Sequence, residues 1–204
     1  MIWEAIYHSN YYTLKKVTGI ICLSLILLFG CQNESDYSPK PRGYFRIELP
    51  QHSYKNFAPQ GCPYSFMIPE KSLAVRDTNP RAESCWYSIL MPEINAQLYL
   101  TYKPIHNDFF QFVEDTHTLV YKHTAKASSI DEELLSFGPD VSGVVYEIGG
   151  NAASSLQFYV TDSTKHFMRG ALYFNTAPNA DSLKPVLNYA RQDIRKMLET
   201  LQWK

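Results

Sequence analysis

The chain lacks an apolar stretch long enough to cross a membrane as a helix. Its longest such run, residues 20–30, holds eleven residues, where a helical span needs about 20. It also lacks any block of like charge, and its 19 basic and 20 acidic residues nearly cancel. That balance leaves no electrostatic footprint for nucleic-acid binding and no polybasic patch for a membrane surface. Catalytic signatures are missing as well. No glycine-rich phosphate loop, G-x-S-x-G elbow or H-E-x-x-H pair occurs. His117 and His123 lie six apart, which on a helix turns them about 240° from each other and prevents shared metal ligation. Cysteine is sparse, at four residues.

What is present begins with the short apolar run itself. Lys15 and Lys16 precede it, small Gly30 closes it, and a polar, Pro-interrupted stretch follows. A basic region, an apolar region and a small exit residue describe a secretory signal rather than a core helix ending in cysteine. The exit, Leu28-Phe29-Gly30-Cys31, resembles the lipobox of bacterial lipoproteins. That resemblance implies cleavage before Cys31, a diacylglycerol on its thiol and acylation of the new N-terminus. More than one acyl chain holds stably in a bilayer. Residues 1–30 are thus expected to be a signal peptide. Residues 1–13 are aromatic and carry Glu4 ahead of the basic pair, so either translation starts nearer Leu14 or these residues are an extension without a role.

Residues 31–43 read as a flexible tether of about 20 Å mean span and about 40 Å at full extension. Residues 44–204 are long enough to bury a single core. With Cys22 in the signal and Cys31 lipidated, Cys62 and Cys85 remain in an oxidising compartment. They either pair, closing a loop of about 24 residues worth about 3 kcal/mol, or stay as buried thiols. A plain hairpin of residues 64–68 and 86–90 would put the cysteines at opposite ends of the ladder. A bridge therefore requires those strands to run the same way, with residues 72–76 returning between them.

Alternating apolar residues predict strands at 44–49, 64–68, 86–90 and 96–102, with a turn at 92–95. Residues 107–127 switch to helical spacing, placing Phe109, Phe112, Val113, Thr116, Val120 and Thr124 on one face, with Asp108 and Gln111 as a capping pair. Strands resume at 141–148, 156–161 and 166–174, separated by turns at 149–151 and 162–165. The chain closes with a helix from Ser182 to about Gln202. Leu183, Val186, Leu187, Ala190, Ile194, Leu198 and Leu201 form its stripe, and Arg191, Arg195 and Lys196 its other face. Asp181 or Ser182 is expected to cap it, with Pro185 tolerated in the first turn.

Six or seven strands and two long amphipathic helices predict an α+β domain, a mainly antiparallel sheet packed by helices. The element order resembles the Mog1/PsbP-like sandwich. Among polar clusters, Ser154 and Ser155 beside a glycine turn and Asp162-Ser163-Thr164-Lys165-His166 read as turn chemistry rather than catalysis. His52, His106 and His166 fall near turns or strand ends, where surface or capping roles are expected. Arg46, Glu48, Glu147 and Arg169 lie in strands and are expected to form cross-strand pairs. No metal ligands, cofactor or catalytic residues are assigned.

Several stretches then resemble one family closely. They are PKPRGYFRIELP at 39–50, CPYSF at 62–66, CW at 85–86, LTYKPI at 100–105, VYKHTAKA at 120–127, GGNAASSLQFYVTDSTKHFMRGALYFN at 149–175 and LETLQWK at 198–204. Together they are similar to the gliding-motility lipoprotein GldD family of Bacteroidetes. The resemblance implies a lipid-anchored, non-enzymatic envelope component, required for gliding and linked to type IX secretion, with Cys31 lipidated. Cys62 and Cys85 are matching cysteines. Its partners are the membrane, through the lipid, and other gliding or secretion proteins. Arg42, Tyr44, Phe45 and Arg46, where tether meets domain, are the candidate contact residues. Under the enterobacterial sorting rule Gln32 after the lipidated cysteine directs it to the outer membrane, facing the periplasm, with Glu34 and Asp36 as part of a surface-export signal being the alternative. The rival reading is a lipoprotein that binds a small apolar or glycan ligand between sheet and helix.

Overall fold

The computed structural model describes residues 47–204. Cys31 and the candidate contact residues Arg42, Tyr44, Phe45 and Arg46 lie outside the described residues, as do the expected signal and tether.

Among the described residues, ten strands form two antiparallel sheets. The smaller joins β1 (Tyr54–Phe57), β2 (Tyr64–Pro69) and β10 (Gln202–Trp203) in the order β1-β2-β10. The larger holds β3 (Leu73–Arg76), β4 (Tyr87–Met91), β5 (Ala96–Pro104), β6 (Ala127–Ser136), β7 (Ser142–Gly150), β8 (Ser154–Thr161) and β9 (His166–Phe174). Its order is β3-β4-β5-β9-β8-β7-β6. Tight turns at Pro92–Ile94 and between β8 and β9 make neighbours in sequence neighbours in the sheet.

Helix α1 (Phe109–Tyr121) and helix α2 (Ala180–Glu199) cover opposite faces of the large sheet. The alternation in β7 shows this. Val145 faces the main core with Leu156, Phe158 and the α2 residues Val186, Ala190, Ile194 and Leu198. Its neighbours Val144 and Tyr146 face a second cluster with Val120 of α1. Tyr64, Phe66 and Ile68 of β2 complete the main core from the small sheet. Each fully buried side chain of this size contributes about 1.5–3 kcal/mol.

The α+β class and antiparallel pairing match the expectation, but the helices do not. Only α2 is long, at 20 residues against 13 for α1. The expected helix over 107–127 stops at Tyr121, continues as a 3-10 turn over Lys122–Ala125, and gives way to β6. Thr124 is exposed rather than on the packed face. Strand β6 escapes sequence reading because it is a sheet edge whose Asp131, Glu132 and Glu133 face water, leaving no apolar alternation to detect. Asp108 and Gln111 form no capping pair. The Asp108 carboxylate accepts the His106 N–H and Gln111 donates to Asp115, one turn on.

The strand expected at 44–49 is absent from its described part, and pairing begins only at Tyr54 opposite Pro69. Pro50 removes a donor there, Ile47 is exposed, and only Leu49 packs on the core. At the other end, Asn179 caps α2, its side-chain oxygen accepting the Ser182 N–H at 3.3 Å, in place of Asp181 or Ser182. The helix ends at Glu199 because Thr200 turns its hydroxyl back to Lys196 and accepts the Met67 N–H. That frees Gln202 and Trp203 to join β2.

Candidate functional site

Cys62 and Cys85 form a disulfide, with an S–S distance of 2.15 Å and Cα atoms 5.5 Å apart. Cys62 precedes β2 and Cys85 precedes β4, so the bond ties the small sheet to the large one. Strand β3 pairs antiparallel with β4, but β2 belongs to the other sheet, so β3 does not lie between them in one ladder. Tyr64 donates to the Cys85 carbonyl at 2.7 Å. Burial pushes its phenol well above the usual tyrosine range, so it remains a donor.

The clusters that look reactive in sequence are committed to structure. Ser154 is buried and donates to the Leu172 carbonyl. Asp162 accepts backbone N–H groups from Thr164, Lys165 and His166 at 2.8–3.0 Å. Burial pushes its carboxyl up, but these donors prevail and hold it below the ordinary carboxylate value. His166 is hydrogen-bonded to Tyr102 and stacked on Trp203. Burial holds its imidazole below the usual histidine value, and Lys165 adds to this against Asp162. Among the described residues, no three His, Cys, Asp or Glu side chains converge as metal ligands. No described helix is long and apolar enough to cross a membrane.

Three features were not legible in sequence. The first is a clasp between the start of the domain and α2. Asp193, buried in the helix, takes hydrogen bonds from His52 at 2.7 Å and Tyr54 at 3.1 Å, and His52 stacks on Tyr189. Its signal is an acid inside the apolar stripe of α2, three residues after Ala190. Burial outweighs both donors and raises the Asp193 carboxyl above its ordinary value. The folded chain therefore binds that proton more tightly than the unfolded chain. The associated stability is complete below about pH 4 and is lost as pH rises through the raised value. Asp193→Asn keeps the acceptor and removes the charge. Urea melts of the two proteins between pH 3.5 and 7 should show the native protein losing stability relative to the variant as pH rises. Parallel pH profiles would contradict the buried charge.

The second feature is an open strand. β3 pairs only with β4, and its other edge is free in the described residues. On one face of this end of the sheet, Leu73, Val75 and Tyr99 are 57%, 47% and 42% exposed. Register aligns Leu73 with Leu90 and Val75 with Ser88, and Tyr173 meets Tyr99 edge to face. Exposed apolar side chains beside an unpaired strand edge are the form of a protein-contact surface.

The third is Arg169. The cross-strand pairs expected for Glu147 and Arg169 do not form, because strand alternation puts them on opposite faces. Glu147 instead pairs with Arg191 of α2 at 2.6 Å, while Arg169 donates to Gln157. Among the described residues Glu48 has no ion-pair partner, and Arg46 lies outside them.

Among the described residues, the spaces between α2 and the sheets are small. Spaces of about 20 and 40 Å³ lie between α2 and the sheets, the second bounded by Leu135, Val145, Leu156 and Ile194. The broader groove of about 270 Å³ is rimmed by Asp131, Glu147, Lys184 and Arg191. None of these three is the deep apolar pocket that a small hydrophobic ligand needs, and a wider, open space of about 800 Å³ lies away from α2, beside Phe109, Phe110 and Ser163.

A profile of the gliding motility lipoprotein GldD matches residues 34–203. The chain belongs to the GldD family. As a GldD-family lipoprotein it is a motility-associated component of the cell envelope. No curated protein matches it by sequence. The solution structure of cyanobacterial PsbP (CyanoP) from Synechocystis sp. PCC 6803 is similar to it at a TM-score of 0.48 and 11% identity, over 76% of this chain and 95% of that chain.

Proposed function

We propose that this GldD-family protein is a lipid-anchored, non-enzymatic scaffold or assembly factor of the gliding and type IX secretion machinery. Cys31 carries the lipid, at the outer membrane facing the periplasm, and the folded domain makes protein contacts. The observation that carries the reading is the open β3 edge with Leu73, Val75 and Tyr99 exposed beside it. A strand edge offers unpaired backbone groups to an incoming segment, and the flanking side chains supply affinity and register. Tyrosine suits such a surface because it offers large contact area at little entropic cost. The turn chemistry of Asp162 and the buried, engaged Ser154 support a binding role over a catalytic one.

The test is photo-crosslinking in cells from a reactive residue placed at Val75, with a control at exposed Lys184. Crosslinks to other envelope proteins of the machinery are expected from position 75, lost when Leu73→Asp is added. Recovery of this protein alone from both positions would overturn the reading. A Cys31→Ser chain, released from the membrane, should lose those crosslinks as well.

A further inference from the structure

Arg169 lies mid-strand in β9, opposite Thr101 of β5 and Tyr159 of β8, on the sheet face that α1 partly covers. Its guanidinium is mostly buried, yet among the described residues no carboxylate pairs with it. Among those residues its one side-chain hydrogen bond runs from Nη2 to the side-chain oxygen of Gln157. Gln157 is itself 0% exposed, and its amide nitrogen has no acceptor. The Arg169 Nε has none either. Two orphaned donors and one uncompensated positive charge therefore share a small region beside His123. Burial depresses the Arg169 guanidinium, and burial together with the nearby guanidinium depresses the His123 imidazole. Folded proteins rarely leave such groups unmatched, because each buried unpaired donor carries its full desolvation cost. A buried charge without a partner costs more still.

We propose that Arg169, Gln157 and His123 form a binding site for a small oxyanion, the carboxylate or phosphate group of a diffusible solute. Every unmatched group there is a donor or a positive charge, so the missing partner is an acceptor bearing negative charge. Arg169 retains a part-exposed side while Gln157 is sealed. A solute ion can reach the guanidinium from that part-exposed side. The inference is independent of the scaffold reading, since it concerns the α1 side of β8 and β9 rather than the β3 edge.

Gln157→Glu provides a direct test, because it builds the missing carboxylate into the site at nearly constant shape. Thermal unfolding of residues 31–204 is followed with increasing inorganic phosphate or acetate, against chloride at matched ionic strength. The native protein should show a saturable rise of several degrees in Tm with one of the two oxyanions. The Gln157→Glu protein should start with the higher Tm and show no further rise. His123→Ala, at a part-exposed position, should fold normally and weaken the response about five- to tenfold. A native protein that responds to neither oxyanion beyond chloride, or a Gln157→Glu protein that responds as the native one does, overturns the proposal. So would Gln157-dependent sedimentation with phosphatidylglycerol vesicles in the absence of a phosphate or acetate response, which would place the ligand in a lipid headgroup.

Discussion

Replacing Phe158 with alanine lowers the stability of the domain by about 3–5 kcal/mol, the usual cost of deleting a buried aromatic ring. Phe158 is fully buried on the interior strand β8, against Leu156, Leu172 and the α2 stripe. Opposite it in register is Gly170 of β9. A Cβ added at Gly170 would sit 2.1 Å from Cζ of the Phe158 ring. The ring thus occupies the space that any larger residue at 170 would need. Gly170→Ala alone should cost about 1–3 kcal/mol through overpacking. In the double variant Phe158→Leu/Gly170→Ala the smaller side chain makes room for the methyl. Its cost should fall short of the sum of the single changes by about 0.5–3 kcal/mol. Denaturant melts of the four proteins measure this directly, and strict additivity would mean that ring and glycine do not share that space.

Loss of the Cys62–Cys85 bond is the second large effect. The cysteines are 23 residues apart, and opening a loop of that size costs about 3 kcal/mol in the chain-entropy account. For a domain of this length that corresponds to a fall in Tm of roughly 6–12 °C. The bond also fixes a junction that no backbone ladder spans, since β2 and β4 belong to different sheets. Cys85 sits at φ 71°, a left-handed backbone that costs a non-glycine residue roughly 1–2 kcal/mol. The pair Cys62→Ala/Cys85→Gly should therefore be more stable than Cys62→Ala/Cys85→Ala by roughly 1 kcal/mol. Calorimetry with and without reductant, and on both double variants, reads these differences. A Tm unmoved by reductant would remove the bond from the stabilising interactions.

The elements that were legible share a physical property. Helix α2 carries a stripe of apolar residues at helical spacing, and β2, β7, β8 and β9 carry apolar residues at strand spacing. One face of each is buried, so burial imprints its period on the sequence. Strands β1, β6 and β10 carry no such imprint and escape sequence reading, whereas the strand expected at residues 72–76 forms as β3 but at a sheet edge rather than between β2 and β4. β3 and β6 are edges with exposed faces, and β1 and β10 are too short to show a period. The helix over 107–127 was overextended for a related reason. The residues after Tyr121 continue a helical pattern that the β6 pairing overrides, since Ala127 is drawn into register with Gly150.

The candidate sites divide along the same line. That Asp162 belongs to a turn could be read locally, because the amides it accepts are two to four residues away. The Asp193 clasp could not, because His52 lies 141 residues from its partner. Nor could the isolation of Arg169, since the absence of a carboxylate depends on which strands adjoin β9.

By itself the sequence determined the family, the α+β class and the order of the main amphipathic elements, because these depend on motifs and on periodicities within single segments. Only the tertiary structure decided which strand became an open edge, which acid met His52, where the disulfide tied one sheet to another and which arginine was left without a counter-charge. These are properties of pairs of residues distant in the chain. Their geometry is set by register and packing across the whole domain, which no local pattern records.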